Sequence, residues 1–226
     1  MWFMNKPKLR LGVLASGRGS NLEAIIQACA TVKIHATVEV VISDRPQSQA
    51  LEHARRNQIP AIYLDPMAHS GREEYDEAAV RLLREHRVDL VVLAGYMRLI
   101  TSRLIGPYKN RIINIHPSLL PSFPGLHAHH QALEWGVRIS GCTVHFVDET
   151  MDQGAIIIQA AVPVLDGDTE ETLDARVLEQ EHRILPQAIQ YLAEDRLEIS
   201  GRRVVLRSPK PAAGVNVTSP MIEIGL

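Results

Sequence analysis

Cysteine is almost missing from this chain. Cys29 and Cys142 are the only two in 226 residues. That excludes a disulfide framework and makes a reducing cytoplasm the default. Long apolar runs are missing too. No stretch of about 18 apolar residues occurs, so no membrane-spanning helix is expected. The opening MWFMNKPKLR carries charges and a proline and lacks the apolar core of a secretory signal. Net charge is nearly absent at -2, so no general field favours nucleic acid or a membrane surface. An anionic substrate must then be held by local groups. There is no Gly-x-Ser-x-Gly elbow, no cysteine in a loop beside a partner and no Walker Gly-Lys-Ser/Thr. A covalent acyl-enzyme is therefore not favoured. No internal repeat or low-complexity segment is present.

What remains is ordinary for a globular protein: 46% hydrophobic and 22% charged residues. The length suits one α/β domain with a tail and is enough to bury a sizeable core. The stretch that organises the chain is Asn114-Ile115-His116-Pro117-Ser118-Leu119-Leu120-Pro121. It completes an apolar run over residues 111–116 that reads as a buried strand. Asn114 and His116, two apart, face the same side of that strand. Pro117, Pro121, Pro124 and Gly125 then enforce a stiff, irregular loop. Polar groups at the C-terminal end of a strand mark a site in an open α/β sheet.

Upstream, a strand over residues 9–15 runs straight into Ser16-Gly17-Arg18-Gly19-Ser20-Asn21 and a helix over 22–30. A glycine loop at a helix N-terminus is suited to an anion, because backbone N–H groups and the helix dipole both point at it. Ser20 and Asn21 can cap the helix or bond phosphate oxygens. Leu22 stands where a dinucleotide fingerprint needs its third glycine, which favours a phosphate monoester. Asp44, ending the strand over 36–43, keeps a weaker dinucleotide reading open. Further strands over 60–64, 89–94 and 111–116 alternate with helices over 49–57 and 72–86, with Thr101 capping one more. This alternation predicts a mostly parallel, doubly wound, Rossmann-like sheet with helices on both faces. Gly95-Tyr96-Met97-Arg98-Leu99-Ile100 leaves the end of one strand as an apolar loop suited to a flat organic ligand.

In the second half, strands over 140–147 and 155–163 form an expected antiparallel pair. A long helix follows over 169–194, with Asp168 and Thr169 as caps and Glu170 and Glu171 in its first turn. A hairpin turns at Gly201, and residues 208–226 are expected to be an irregular tail. His127, His129 and His130 invite a zinc reading. No cysteine or acid lies at ligand spacing and a helix begins at Gln131, so no metal is expected. The loop from Asp148 to Gly154 is acidic and ends in glycine. Its Asp152 can pair with the His116 imidazole. The Asn114 amide can donate to an oxyanion, and His116 can shuttle a proton near neutral pH. Together they fit acyl transfer to an amine through a tetrahedral intermediate.

These residues also carry a resemblance. The runs from Ser16 to Asn21 and from Asn114 to Pro121, with Pro124-Gly125-Leu126-His127-Ala128-His129 and Asp152-x-Gly154, resemble the folate-dependent phosphoribosylglycinamide formyltransferases of purine synthesis. The likeness spans residues 9–196. The run Asn-x-His-Pro-Ser-Leu-Leu-Pro is shared with other formyltransferases, including those acting on methionyl-tRNA. The glycine loop and Pro124-Gly125-Leu126-His127 are more specific. The resemblance implies a formyltransferase domain over residues 1–207, with a phosphate-binding half over 9–110 and a folate and catalytic half over 111–207.

It implies Asn114, His116 and Asp152 as the catalytic set. Glycinamide ribonucleotide would meet Gly17, Arg18, Gly19, Ser20, Asn21 and Glu181. The co-substrate 10-formyltetrahydrofolate would meet Arg72, Met97, Arg98, Leu99, Ile100, Asn114 and Asp148. The family often carries asparagine where Arg18 stands. No permanently bound cofactor, metal, nucleic acid or membrane partner is implied, and a homodimer is compatible with it. The nearest alternative is a formyltetrahydrofolate hydrolase, which shares the trio but uses water as acceptor. Relatives of that kind carry an extra N-terminal regulatory domain, for which this chain has no room.

Overall fold

Near-continuous apolar runs make poor surface strands and good central ones, since a parallel strand is covered on both faces. The computed structural model, which describes residues 6–207 and 218–219, follows that rule. The chain divides into two compact units, Met1–Asn114 and Ile115–Leu226.

In the first unit, β1 (Leu9–Leu14), β2 (Ala36–Ser43), β3 (Ala61–Tyr63), β4 (Leu90–Leu93) and β5 (Ile112–His116) run parallel in the order β3-β2-β1-β4-β5. All four residues of β4 are buried. Helices α1 (Ser20–Ala30) and α2 (Gln49–Arg56) connect strands that step one way from β1, and α1 touches α2. Helices α3 (Arg72–Glu85) and α4 (Ser102–Ile105) serve the steps to β4 and β5, and they touch each other. With right-handed crossovers these two pairs fall on opposite faces. The direction of winding reverses between β1 and β4. A crevice therefore opens beyond the C-terminal ends of those two strands, the usual place for a ligand in such sheets.

The second unit holds α5 (Ala128–Glu134), β6 (Ile139–Phe146), β7 (Ile156–Pro163), α6 (Glu170–Ala193), β8 (Leu197–Ser200) and β9 (Arg203–Leu206). Strands β6 and β7 are the expected antiparallel pair, with a register shift at Val144/His145. The β8–β9 hairpin turns at Gly201, whose φ is +60°. It joins β7 through a parallel pairing of Arg203 with Ile156, which the sequence did not suggest. The strands of the first unit are thus parallel and those of the second mostly antiparallel, as expected for this fold class.

Several local expectations change. Helix α5 starts at Ala128 and not at Gln131, because His127 takes the left-handed conformation (φ +59°) and stops the loop there. Thr169 caps α6 in a reciprocal pair with Thr172. Asp168 instead grips Arg176, and that hydrogen-bonded guanidinium holds its carboxyl well below the usual range. A short 3-10 turn over Pro66–Ala68, capped by the Asp65 side chain, went unforeseen. The irregular tail lies outside the described residues except for β10 (Thr218–Ser219), which pairs antiparallel with Ala160 and Gln159. Among the described residues no helix is long and apolar enough to cross a membrane.

Candidate active site

The glycine loop sits at the crevice of the first unit. Ser16 donates its N–H to Gly95 O (3.0 Å), and its hydroxyl accepts from Met97 N (2.9 Å). The loop after β1 is thereby stitched to the loop after β4, two segments that the sequence suggested separately as phosphate and folate contacts. Ser16 was read only as the start of the glycine loop; its bridging role was not anticipated, and a serine straight after an apolar strand was the signal for it. The far side of the loop is fixed by α2. Gly17 O accepts from Ser48 Oγ (3.0 Å) and Ala50 N (3.3 Å).

The two glycines do different work. Gly19 is the N-cap of α1 at φ +76°, and a Cβ there would lie 2.7 Å from Ala50 Cα. Ser20 is the first helical residue, and the cap position itself offers no side-chain hydrogen bond. Gly17 is exposed, and a Cβ on it would meet nothing within 4 Å. Gly19→Ala is therefore expected to destabilise the fold by about 1–2 kcal/mol from the left-handed backbone alone, with the clash on α2 added. Gly17→Ala should leave the melting temperature unchanged and report on ligand approach. Thermal melts of the two variants check this.

Residues of the loop after β4 alternate. Met97 and Leu99 are 57% and 54% exposed, while the Arg98 guanidinium packs 4.4 Å from the centroid of the Tyr75 ring. The apolar side chains are thus the ones offered outward. Arg98 serves to hold the loop against α3. Thr101 caps α4, and its N–H donates to the buried Asp76 carboxylate. Arg72 is exposed at the start of α3, and Arg98 and Arg72 both act on Asp76. Asn114 lies on β5, half-buried, two positions before His116.

In the second unit, the Pro-rich loop after β5 is held by β6 and β7. Thr143 Oγ1 donates to Ser118 O (2.7 Å) and accepts from Leu120 N (3.1 Å). Gln159 Nε2 donates to Leu120 O (3.0 Å) and Thr143 Oγ1 (2.9 Å). At about 1 kcal/mol each, such buried bonds add up to a rigid platform. His116 is 4% exposed on it. Its Nε2 lies 2.8 Å from Phe123 O, and its Nδ1 lies 3.5 Å from Asp152 Oδ2. The Gly125 N–H donates to the same Asp152 oxygen at 2.7 Å. Asp152 sits at φ +55°, a backbone that aspartate tolerates better than most residues.

A second histidine, unforeseen, completes this cluster. His145 on β6 is 1% exposed, with Nε2 3.7 Å from Asp152 Oδ1 and Nδ1 2.8 Å from Phe146 O. A histidine inside the apolar run of β6, seven residues before Asp152, was the available signal. Burial lowers its pKa from the ordinary value. A depressed folded-state value means the unfolded chain binds the proton more readily. His145 thus contributes stability above its unfolded pKa of about 6.5, and that contribution is lost as pH falls below it. Chemical denaturation between pH 7.5 and 5.5 should show a decline in stability that is shallower in His145→Asn.

Gly154 allows the loop to close. A Cβ there would lie 1.7 Å from Phe146 O, so the approach of loop to strand permits no side chain.

The other candidates scatter. Asp148 is exposed and accepts from Thr150 N at 2.9 Å in a local turn. Glu181 is buried on α6, where its charge helps burial push the Cys142 thiol up. Cys29 is pushed up to about 11 by burial, so neither thiol is a ready nucleophile. The three clustered histidines diverge. His127 lies in the α5 cap, His129 faces Asp174 (3.4 Å), and His130 faces Glu170 (3.0 Å) and Glu134 (3.4 Å). Among the described residues no group of three or more His, Cys, Asp or Glu side chains could hold a metal ion.

Comparison with known proteins identifies the family of the chain. The Formyl transferase family pattern matches residues 9–189. The phosphoribosylglycinamide formyltransferase of Escherichia coli is 46% identical over 191 residues, covering 84% of this chain and 90% of that protein. The crystal structure of glycinamide ribonucleotide transformylase 1 from Symbiobacterium toebii superposes with a TM-score of 0.90 at 52% identity, covering 92% of this chain and 98% of that one. A formyltetrahydrofolate deformylase from Pseudomonas syringae shares the fold at a TM-score of 0.81 but only 30% identity, and the match covers 66% of its chain. The chain spans only 19% and 15% of the trifunctional purine biosynthetic proteins adenosine-3 of Gallus gallus and Drosophila melanogaster. By the pattern match and by relatives of its own length, the chain belongs to the formyl transferase family.

Proposed function

We propose that this chain transfers the formyl group of 10-formyltetrahydrofolate to the amine of glycinamide ribonucleotide, a step of purine biosynthesis. The observation that carries the reading is the buried approach of His116 to Asp152 at 3.5 Å, on a loop held rigid by β6 and β7. In this reading the substrate amine attacks the formyl carbon directly. Asn114 donates to the developing oxyanion. His116 accepts the amine proton and returns one to the departing folate nitrogen. Asp152 orients His116 and stabilises its charged form.

The ribonucleotide phosphate would rest on Gly17, Arg18, Gly19, Ser20 and Asn21, where backbone N–H groups and the α1 dipole favour an anion. Glu181 would meet the rest of the ribonucleotide. Exposed Met97 and Leu99 offer apolar contact to the folate, with Arg98 and Ile100 behind them. Arg72 would meet its carboxylate tail, and Asp148 would lie in the loop over its pterin. The reading goes with the reducing cytoplasm and with domain bounds of 1–207, and it is compatible with a homodimer. It calls for no bound cofactor.

The deformylase reading shares His116 and Asp152 but needs no ribonucleotide. The two separate when tetrahydrofolate release is followed with and without glycinamide ribonucleotide. Formyl transfer requires release only with the ribonucleotide; release of equal rate without it means hydrolysis.

A further inference from the structure

Two residues past His116, on the loop after β5, Ser118 is completely buried. The prolines of that loop explain its stiffness and leave the Ser118 hydroxyl unexplained. A serine hydroxyl has one hydrogen to give. Here it goes to Ser122 O at 2.5 Å, with Phe123 O as a second, longer acceptor at 3.3 Å. The Ser118 carbonyl is itself pinned by Thr143 Oγ1 of β6 at 2.7 Å. The hydroxyl thus ties the turn at Ser122 and Phe123 to a residue that β6 holds in place.

That turn needs tying. Phe123 stands at φ +53°, a left-handed backbone that a bulky residue rarely adopts. Strained residues persist where their surroundings over-determine them, and they gather at functional sites. Here the strained residue is the one whose carbonyl meets the proton-shuttling ring, with Phe123 O 2.8 Å from His116 Nε2. Two residues on, the Gly125 N–H donates to Asp152 Oδ2 at 2.7 Å. One short backbone segment therefore presents an acceptor to His116 and a donor to Asp152. It sets how the two side chains meet at 3.5 Å.

A carbonyl oxygen can only accept a hydrogen bond, so Nε2 bears the hydrogen of the neutral His116 ring. Nδ1 is then the ring atom with a lone pair for the amine proton. Once it holds that proton, each ring hydrogen faces an acceptor, Phe123 O on one side and Asp152 Oδ2 on the other. The opposite tautomer would set two lone pairs against each other across the 2.8 Å contact.

We propose that Ser118 is a positioning residue of the formyl-transfer site: its hydroxyl holds the strained turn at Phe123, and that turn fixes the tautomer and tilt of His116. This rests on the catalytic role given to His116 above. Without the hydroxyl, Phe123 O is free to draw back from Nε2. The ring hydrogen then passes to Nδ1, where the Asp152 carboxylate attracts it, and Nδ1 no longer accepts.

The test is long-range proton–nitrogen NMR of the full chain labelled with 15N-histidine, titrated from pH 5 to 9, in wild type and Ser118→Ala. In the neutral His116 ring, wild type should show the hydrogen on Nε2, and Ser118→Ala should move a clear share of it to Nδ1. Turnover of the variant should fall by roughly 10- to 10²-fold, the scale of a slightly misplaced catalytic group, with both Michaelis constants unchanged. Hydrogen on Nδ1 in wild type overturns the proposal without any variant, whatever Ser118→Ala does to folding. A tautomer unmoved in Ser118→Ala, with or without a loss of turnover, reduces Ser118 to packing and overturns it too. A moved tautomer in a protein that transfers no formyl group overturns the proposed function and leaves the positioning of His116 standing.

Discussion

Asp152→Asn is expected to lower turnover by roughly 10²–10⁴-fold, the usual range for a lost acid–base contribution, while the fold survives. Asparagine keeps the size of the side chain and an oxygen to accept from Gly125 N–H. What goes is the negative charge between His116 and His145, within 3.5 and 3.7 Å of their nitrogens. His116 then has no counter-charge when it takes the amine proton, so the loss should fall on the chemical step. Michaelis constants should barely move, because Asp152 is held by the protein's own backbone. The shape of the pH–rate profile should change as well, since the variant removes the charge facing the proton-shuttling ring. Steady-state kinetics from pH 6 to 9 measure both effects. A loss confined to the Michaelis constants would make Asp152 a loop-ordering residue.

Asn114→Ala is expected to cost a comparable 10²–10³-fold in turnover, the scale of one lost oxyanion donor, yet with a different signature. An amide does not titrate near neutral pH, so the pH–rate profile should fall without changing shape. The β5 strand itself should persist, because its flanking residues Ile112, Ile113 and Ile115 are buried and apolar. A changed profile would mean that Asn114 acts through His116 and not on the substrate.

Much of this was legible in the sequence, for physical reasons that differ from part to part. Parallel strands are apolar throughout and stand out between amphipathic helices, so β2 was found with its observed bounds and β1, β4 and β5 to within one residue at each end. The pairing of His116 with Asp152 was legible because prolines and a glycine mark the loops around them. The roles of the two loop glycines were merged, since nothing local says that Gly19 faces Ala50 while Gly17 faces open space. Helix α5 began early because His127 adopted a left-handed backbone that sequence pattern does not encode. His145 was missed because a histidine in an alternating strand reads as either face. Only the return of the loop at Gly154, close against Phe146 O, brings Asp152 onto it.

The central claim is direct attack of the ribonucleotide amine on the formyl carbon. A single turnover with 10-formyltetrahydrofolate and glycinamide ribonucleotide in 18O-enriched water, analysed by mass spectrometry, tests it most directly. Direct attack keeps the original formyl oxygen, because the tetrahedral intermediate expels only the folate nitrogen. The account predicts formylated ribonucleotide without 18O and no formate. Formate carrying one 18O atom, with the ribonucleotide unchanged, would contradict it.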